Sequence, residues 1–156
     1  MTDSELLSIE EIHKEIDLIQ SCIKRMTQNS FLIKGWSVTF ISGLIALLSE
    51  KVNSLVIVGV VIFAICSFWY LDSFFLKTEH LYRLKYEWVI QIRKHGDRCF
   101  LYDLNPNNKE MWLNPKTNET SLIKSMFSKT LITFYGIPFA LSVGFLIFKI
   151  LQSFFK

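Results

Sequence analysis

Glycine and proline are scarce in this 156-residue chain, at six and three residues. No residue before Gly35 obliges a helix to stop, and the prolines stand only at 106, 115 and 138. The three cysteines, Cys22, Cys66 and Cys99, are far apart and match no metal or redox spacing; they fit a reducing, cytosolic side. Catalytic signatures are missing too: there is no P-loop, no dinucleotide fingerprint, no Gly-x-Ser-x-Gly elbow and no ligand-spaced cluster of His, Cys, Asp or Glu. His13, His80 and His95 are scattered and read as interfacial or solvated. The expectation is a protein that is not an enzyme and needs no cofactor. A cleavable signal is not expected either, because the first apolar run begins at residue 31 behind an acidic amphipathic stretch.

What the chain has in abundance is apolar length. Half of it is hydrophobic, and 14 residues are Phe. Phe31 to Leu48 carries one charge, Lys34, and Ser54 to Leu71 carries none. Thr130 to Phe148 is uncharged and bracketed by Lys129 and Lys149. A bilayer core about 30 Å thick takes roughly 20 apolar residues at 1.5 Å each, so all three runs are long enough to span if Lys34 snorkels or is paired. A soluble helical bundle is the competing reading, but it needs polar faces, and Leu55 to Phe63 shows no polar period. The expected fold class is an all-α membrane protein: three transmembrane helices, long cytoplasmic helical extensions, and a small β-hairpin or loop insertion.

Charge distribution sets the expected topology. Lys51 is the one basic residue between the first two runs, whereas the segment from Lys77 to Lys129 is rich in Lys and Arg. By the positive-inside rule the N-terminus and the middle segment are cytoplasmic, with the Glu50-Lys51 turn and the C-terminal tail outside. Trp36, Trp69 and Tyr70 fall at the inner interface in that frame. Four segments result: an amphipathic cytoplasmic helix (1–30), a transmembrane hairpin (31–75), a cytoplasmic helix with a binding segment (76–128), and a third transmembrane helix (129–156).

The first segment has capping-box spacing at Thr2-x-x-Glu5 and Ser8-x-x-Glu11. Ile9, Ile12, Ile16, Ile19, Ile23 and Met26 then recur in steps of three and four, a heptad seam that wants a partner helix. The partner is either the chain's own middle segment or another subunit, and the helix is expected to continue into the first span. Beyond the second span a helix should continue to about Lys94 and end at Gly96, with Glu79 and Arg83 paired four apart. Arg98 to Leu104, the Asn105-Pro106-Asn107-Asn108 turn and Met111-Trp112-Leu113 suggest a small β-hairpin or an ordered loop. Thr120 or Ser121 should restart a helix leading into the third span, where Pro138 should introduce a kink.

Two sets of residues stand out as functional candidates. Lys34 and Asp72 lie roughly 17 and 20 residues either side of the outer turn, so their depths in an antiparallel hairpin differ by roughly 5 Å. They are expected to form a salt bridge, within the hairpin or between subunits, against the plainer reading of a snorkelling Lys34 and an interfacial Asp72. The second set is a basic, aromatic surface: Lys24, Arg25, Arg83, Lys85, Tyr86, Trp88, Arg93, Lys94, Arg98 and Trp112. Cations that track phosphates, interleaved with rings that stack, suit a single-stranded nucleic acid or a nucleotide messenger. Juxtamembrane Lys and Arg also attract anionic lipid and fix topology, which is the competing account. Small residues, Gly35, Ser42, Gly43 and Ala46, Gly59 and Ala64, and Ala140-x-x-x-Gly144, offer packing positions between helices.

The stretches Arg25 to Trp36 and Phe68 to Tyr86 resemble the membrane effectors of bacterial anti-phage defence operons, in particular those of the Hailong system. The resemblance covers the hairpin and its flanks. It implies an oligomeric ion channel, a homotetramer in the bacterial inner membrane, whose opening depolarises the membrane and arrests growth. It also implies an operon partner, a nucleotidyltransferase, that makes a short single-stranded DNA or nucleotide ligand held by the basic and aromatic residues. The alternatives are a non-conducting membrane anchor or scaffold that recruits a cytosolic enzyme and, less well matched to so long a middle segment, a holin-like lysis protein.

Overall fold

In the computed structural model residues 3–48, 53–95, 97, 99–108, 110 and 120–154 are described. They form helices and turns, with no strand among them. Helix α1 runs unbroken over Asp3–Leu48 and α2 over Ser54–Lys94. A short helix, α3, covers Leu122–Met126; after it come α4 (Lys129–Leu131), a π-helical segment (Ile132–Gly136) and α5 (Ile137–Phe154). The unbroken length of α1 follows from the absence of proline, since a helix interior without Pro keeps every i to i−4 bond, and Gly35 and Gly43 are carried within it.

The chain divides into two compact units, each containing part of α1 and part of α2. The polar unit comprises Met1–Gln28 and Phe75–Ser121. Its apolar core includes Ile19, Cys22, Leu81, Leu84 and Val89. Ile12, Ile16, Ile23 and Met26 of the heptad seam are half-buried and Ile19 is fully buried in this unit, which also holds the middle segment, while Ile9 is exposed. Tyr82 of α2 lies next to Cys22 and Arg25 of α1, and burial raises its phenol pKa.

The segment read as a possible hairpin is a series of turns along its described length. Four Asx contacts explain why a ladder does not form. Cys99 N donates to Asp97 Oδ1, Asn105 N to Asp103 Oδ1, Asn107 N to Asn105 Oδ1, and Glu110 N to Asn108 Oδ1, each at 2.8–3.0 Å. Every one of these amides is satisfied two residues from the side chain that caps it, which removes the donors a strand pair needs. Phe100 and Tyr102 take left-handed backbone angles, φ 59° and 61°, which also breaks the extended run. The other proposed arm, Met111-Trp112-Leu113, lies outside the described residues.

The apolar unit comprises Asn29–Phe74 and Leu122–Lys156. Among the described residues three helical stretches are long and apolar enough to cross a membrane: Ile9–Leu48, Ser54–Lys94 and Lys129–Gln152. Phe31, Trp36, Leu47, Phe63 and Leu141 leave two thirds or more of their surface uncovered. Apolar area costs about 25 cal/mol per Å² in water, and no such cost arises in a lipid phase. Asn53 caps α2, its Oδ1 accepting from Leu55 N at 3.0 Å. The third stretch does not join α3 smoothly. Phe127 and Ser128 interrupt it, and Ser128, with extended backbone, accepts from Leu131 N at 3.4 Å to restart the helix. The distortion expected at Pro138 takes the form of the π-helical segment just before it. Pro138 has no N–H for the Phe134 carbonyl, and its ring crowds that carbonyl; one wide turn relieves both. Among the small residues, Gly35, Gly43, Gly59 and Gly144 have open space where a Cβ would stand.

Candidate functional site

Among the described residues each unit holds a cluster of buried charge. In the apolar unit Lys34 Nζ lies 2.6 Å from Asp72 Oδ2, so the salt bridge expected from depth is present within one chain. The Asp72 side chain is fully buried and that of Lys34 is one fifth exposed. Helical spacing brings Ser30 and Lys34 one above the other on α1. Lys34 Nζ donates to Ser30 Oγ at 2.8 Å, and Ser30 Oγ donates to Asp72 Oδ1 at 2.5 Å. Ser37, a turn further on, is buried and donates to the Lys34 carbonyl at 2.8 Å. Tyr135, in the π-helical segment, completes the cluster: its hydroxyl is buried beside Asp72 and Ser37 without reaching hydrogen-bond geometry to either. Its ring stacks on Trp69 at 6.2 Å and 15°, and the Trp69 indole is fixed by donating from Nε1 to the Met126 carbonyl at 3.0 Å.

In the polar unit the central pair is one that sequence reasoning missed. Arg93 makes a two-pronged contact with Glu15, Nε to Oε2 at 2.8 Å and Nη2 to Oε1 at 2.9 Å. Both side chains are almost wholly buried. The remaining guanidinium nitrogen, Nη1, donates to the carbonyls of Asp97 and Cys99, and Glu15 Oε1 accepts from Tyr102 N at 3.0 Å. A bidentate arginine pair is among the stronger charge-assisted arrangements, and here its spare donors also fix a loop. The hydrogen bonds it donates to Glu15 hold the Arg93 pKa above its usual value. Lys85 repeats the pattern nearby, donating to Asp103 Oδ2 at 3.1 Å and to the Asn105 carbonyl at 2.7 Å. Burial lowers the Lys85 pKa even though Asp103 works against that shift. For Asp103, burial works to raise the pKa, but bonds from Asn105 N, Asn108 and Lys85 together lower it.

These contacts divide the predicted ligand surface. Lys85 and Arg93 face inward and are engaged by acids of the same chain, so they are framework cations rather than free ligand contacts. Arg83 pairs with Glu79 at 2.7 Å, as the four-residue spacing predicts, but keeps more than half of its side chain exposed. Lys24, Arg83 and Tyr86 come together with Gln20, Ile23 and Glu87 around an open groove of about 510 Å³. Arg25 and Lys94 are exposed, Trp88 is half-buried and packs against Phe100 with ring centroids 6.3 Å apart, and Arg98 and Trp112 lie outside the described residues.

Glu15 did leave a trace in the sequence. It falls on the same helical stripe as Ile12, Ile16, Ile19 and Ile23, and an acid on an apolar stripe requires a partner. Its partner, 78 residues away, is what no spacing rule supplies. Among the described residues no three His, Cys, Asp or Glu side chains gather as a metal site. No family model, curated protein or solved structure matches the chain.

Proposed function

We propose that the chain is the membrane channel effector of an anti-phage defence system, inserted three times in the bacterial inner membrane with its N-terminus and polar unit inside the cell. It works as a homo-oligomer, a tetramer by the resemblance, and a nucleotide or single-stranded DNA made by a partner nucleotidyltransferase controls it. The observation that carries this reading is the Lys34–Asp72 pair, a buried ion pair in a unit otherwise built from membrane-length apolar helices. Ionisable groups at such positions are costly and mark ion pathways or switches by default. The resemblance of Arg25 to Trp36 and Phe68 to Tyr86 supports the assignment to defence, since both stretches flank this pair. The groove with Lys24, Arg83 and Tyr86 supplies two cations and a ring for a phosphate-bearing ligand. Coupling requires that the ligand bind the closed and open forms with different affinity.

Purified protein reconstituted in liposomes should conduct ions, and a short single-stranded oligonucleotide should change the flux. Charge reversal by Lys24→Glu with Arg83→Glu should abolish that response and leave basal conduction. Liposomes that hold the protein and never conduct, with or without oligonucleotide, would remove the channel reading. The engagement of Lys85 and Arg93 by Glu15 and Asp103 favours a second reading. With fewer free cations, the polar unit suits a protein-recruiting scaffold on a passive anchor, and that reading predicts co-purification of a cytosolic enzyme and no flux.

A further inference from the structure

The Tyr135 hydroxyl is a cost the structure carries without return. The residue is 1% exposed, and its hydroxyl makes no hydrogen bond although the Asp72 carboxylate and the Ser37 hydroxyl are adjacent. A buried donor left unpaired costs about 1–3 kcal/mol. A phenylalanine would fill the same aromatic slot against Trp69 without that cost. The backbone around it is also special: Tyr135 sits in the wide turn forced by Pro138, and π-helical turns are enriched at functional positions.

The other side of the cluster shows how Asp72 is engaged. Asp72 Oδ2 is held by the Lys34 ammonium through a purely ionic contact, and Asp72 Oδ1 is taken by Ser30. Lys34 is the one member of the cluster with a way out. It is one fifth exposed on a long flexible stem, and such a side chain can swing its head to the interface. Once it leaves, the carboxylate has one donor, Ser30, and a phenol hydroxyl already beside it. We infer that Tyr135 is the second, competing partner of Asp72, so that the carboxylate has two alternative engagements: an ionic one with Lys34, seen here, and a hydrogen-bonded one with Tyr135. Ser30 ties Asp72 to the first apolar helix in both arrangements, and the exchange trades the Lys34 ion pair for a bond from the third. That is the form a bistable element takes when a ligand biases it. As a gating device it rests on the channel reading; as a property of the fold it does not, and the test below uses folding alone.

The test is the effect of Tyr135→Phe on thermal unfolding of the full chain in detergent, in two backgrounds. In the otherwise unchanged protein the substitution removes an unpaired hydroxyl, and the midpoint should hold or rise by about 2 °C. In the Lys34→Met background Tyr135 supplies a second bond to Asp72 beside that of Ser30, and the same substitution should lower the midpoint by about 4 °C or more. The reversal of sign is the signature, and loss of packing alone does not produce it. Where Lys34→Met yields no folded protein, Asp72→Asn serves as the second background: the lysine loses its ionic partner, the amide oxygen still accepts from Tyr135, and the same reversal is expected. Equal shifts in both backgrounds would overturn the exchange. If the reversal appears but liposomes carry no current, the exchange stands and the channel reading falls.

Discussion

Two of the buried ion pairs among the described residues, Glu15–Arg93 and Lys34–Asp72, are built to opposite specifications. In the polar unit Glu15 and Arg93 are both sealed from solvent, bidentate, and supported by Tyr102 N and the Asp97 and Cys99 carbonyls. In the apolar unit Asp72 is sealed but its partner is a single ammonium on a stem that reaches solvent, with an unused hydroxyl next to it. Burying a charge pair costs several kcal/mol per ion, and only the pair whose every donor and acceptor is used recovers that cost. The first arrangement therefore fixes structure, pinning the loop at 97–105 to the helices. The second is poised, because Lys34 reaches solvent and the neutral hydroxyls of Ser30 and Tyr135 stand beside the carboxylate it would leave.

The difference predicts a hierarchy of effects. Glu15→Gln should be the most damaging, leaving the sealed Arg93 uncompensated at a cost of about 3–5 kcal/mol. Thermal unfolding in detergent should show it, and proteolysis should cut between residues 97 and 108 where the unaltered protein resists. An effect no larger than that of an exposed substitution would mean that Glu15 and Arg93 are not a structural pair. Asp72→Asn should cost less, about 1–2 kcal/mol, because Lys34 can turn outward rather than remain buried and unpaired. Should Asp72→Asn prove the more severe of the two, the contrast between a fixed and a poised pair fails. The smallest effect concerns pH. The Asp97 and Asp103 carboxyls are held below their usual values, Asp97 by bonding to Cys99 and Asp103 by Asn105, Asn108 and Lys85. A depressed folded value gives stability that is complete above the ordinary carboxylate pKa of about 3.9 and is lost as the pH falls through the folded value. Protease protection of the loop should hold down to about pH 4 and disappear below it, while the signal of the apolar helices stays unchanged.

Much of this architecture is written locally. The three apolar runs, the uninterrupted first helix, the end of the second helix near Lys94 and the distortion before Pro138 all follow from composition and the positions of a few residues. The Lys34–Asp72 contact was legible as well, because a hairpin of two straight helices equates distance along the chain with depth. The apolar runs around the Asn105-Pro106 turn do not choose between the two readings of the segment from 97 to 108, hairpin or ordered loop, and the described residues form the loop. The Asp and Asn side chains between them decide the matter, by capping amides two residues away.

Charge on the middle segment was the least legible feature. Lys85 and Arg93 look, in sequence, like Lys24 and Arg83: cations at helical spacing among aromatic residues. Sequence determined how many cations the segment has and which helix carries them. Tertiary structure decided which were spent, because Glu15 and Asp103 meet them only after the chain folds back. It likewise placed Tyr135 next to Asp72, a contact across 63 positions that requires the third helix to be packed. Local pattern fixes what depends on neighbours in the chain, whereas a charge deprived of water takes its partner from whatever the fold delivers.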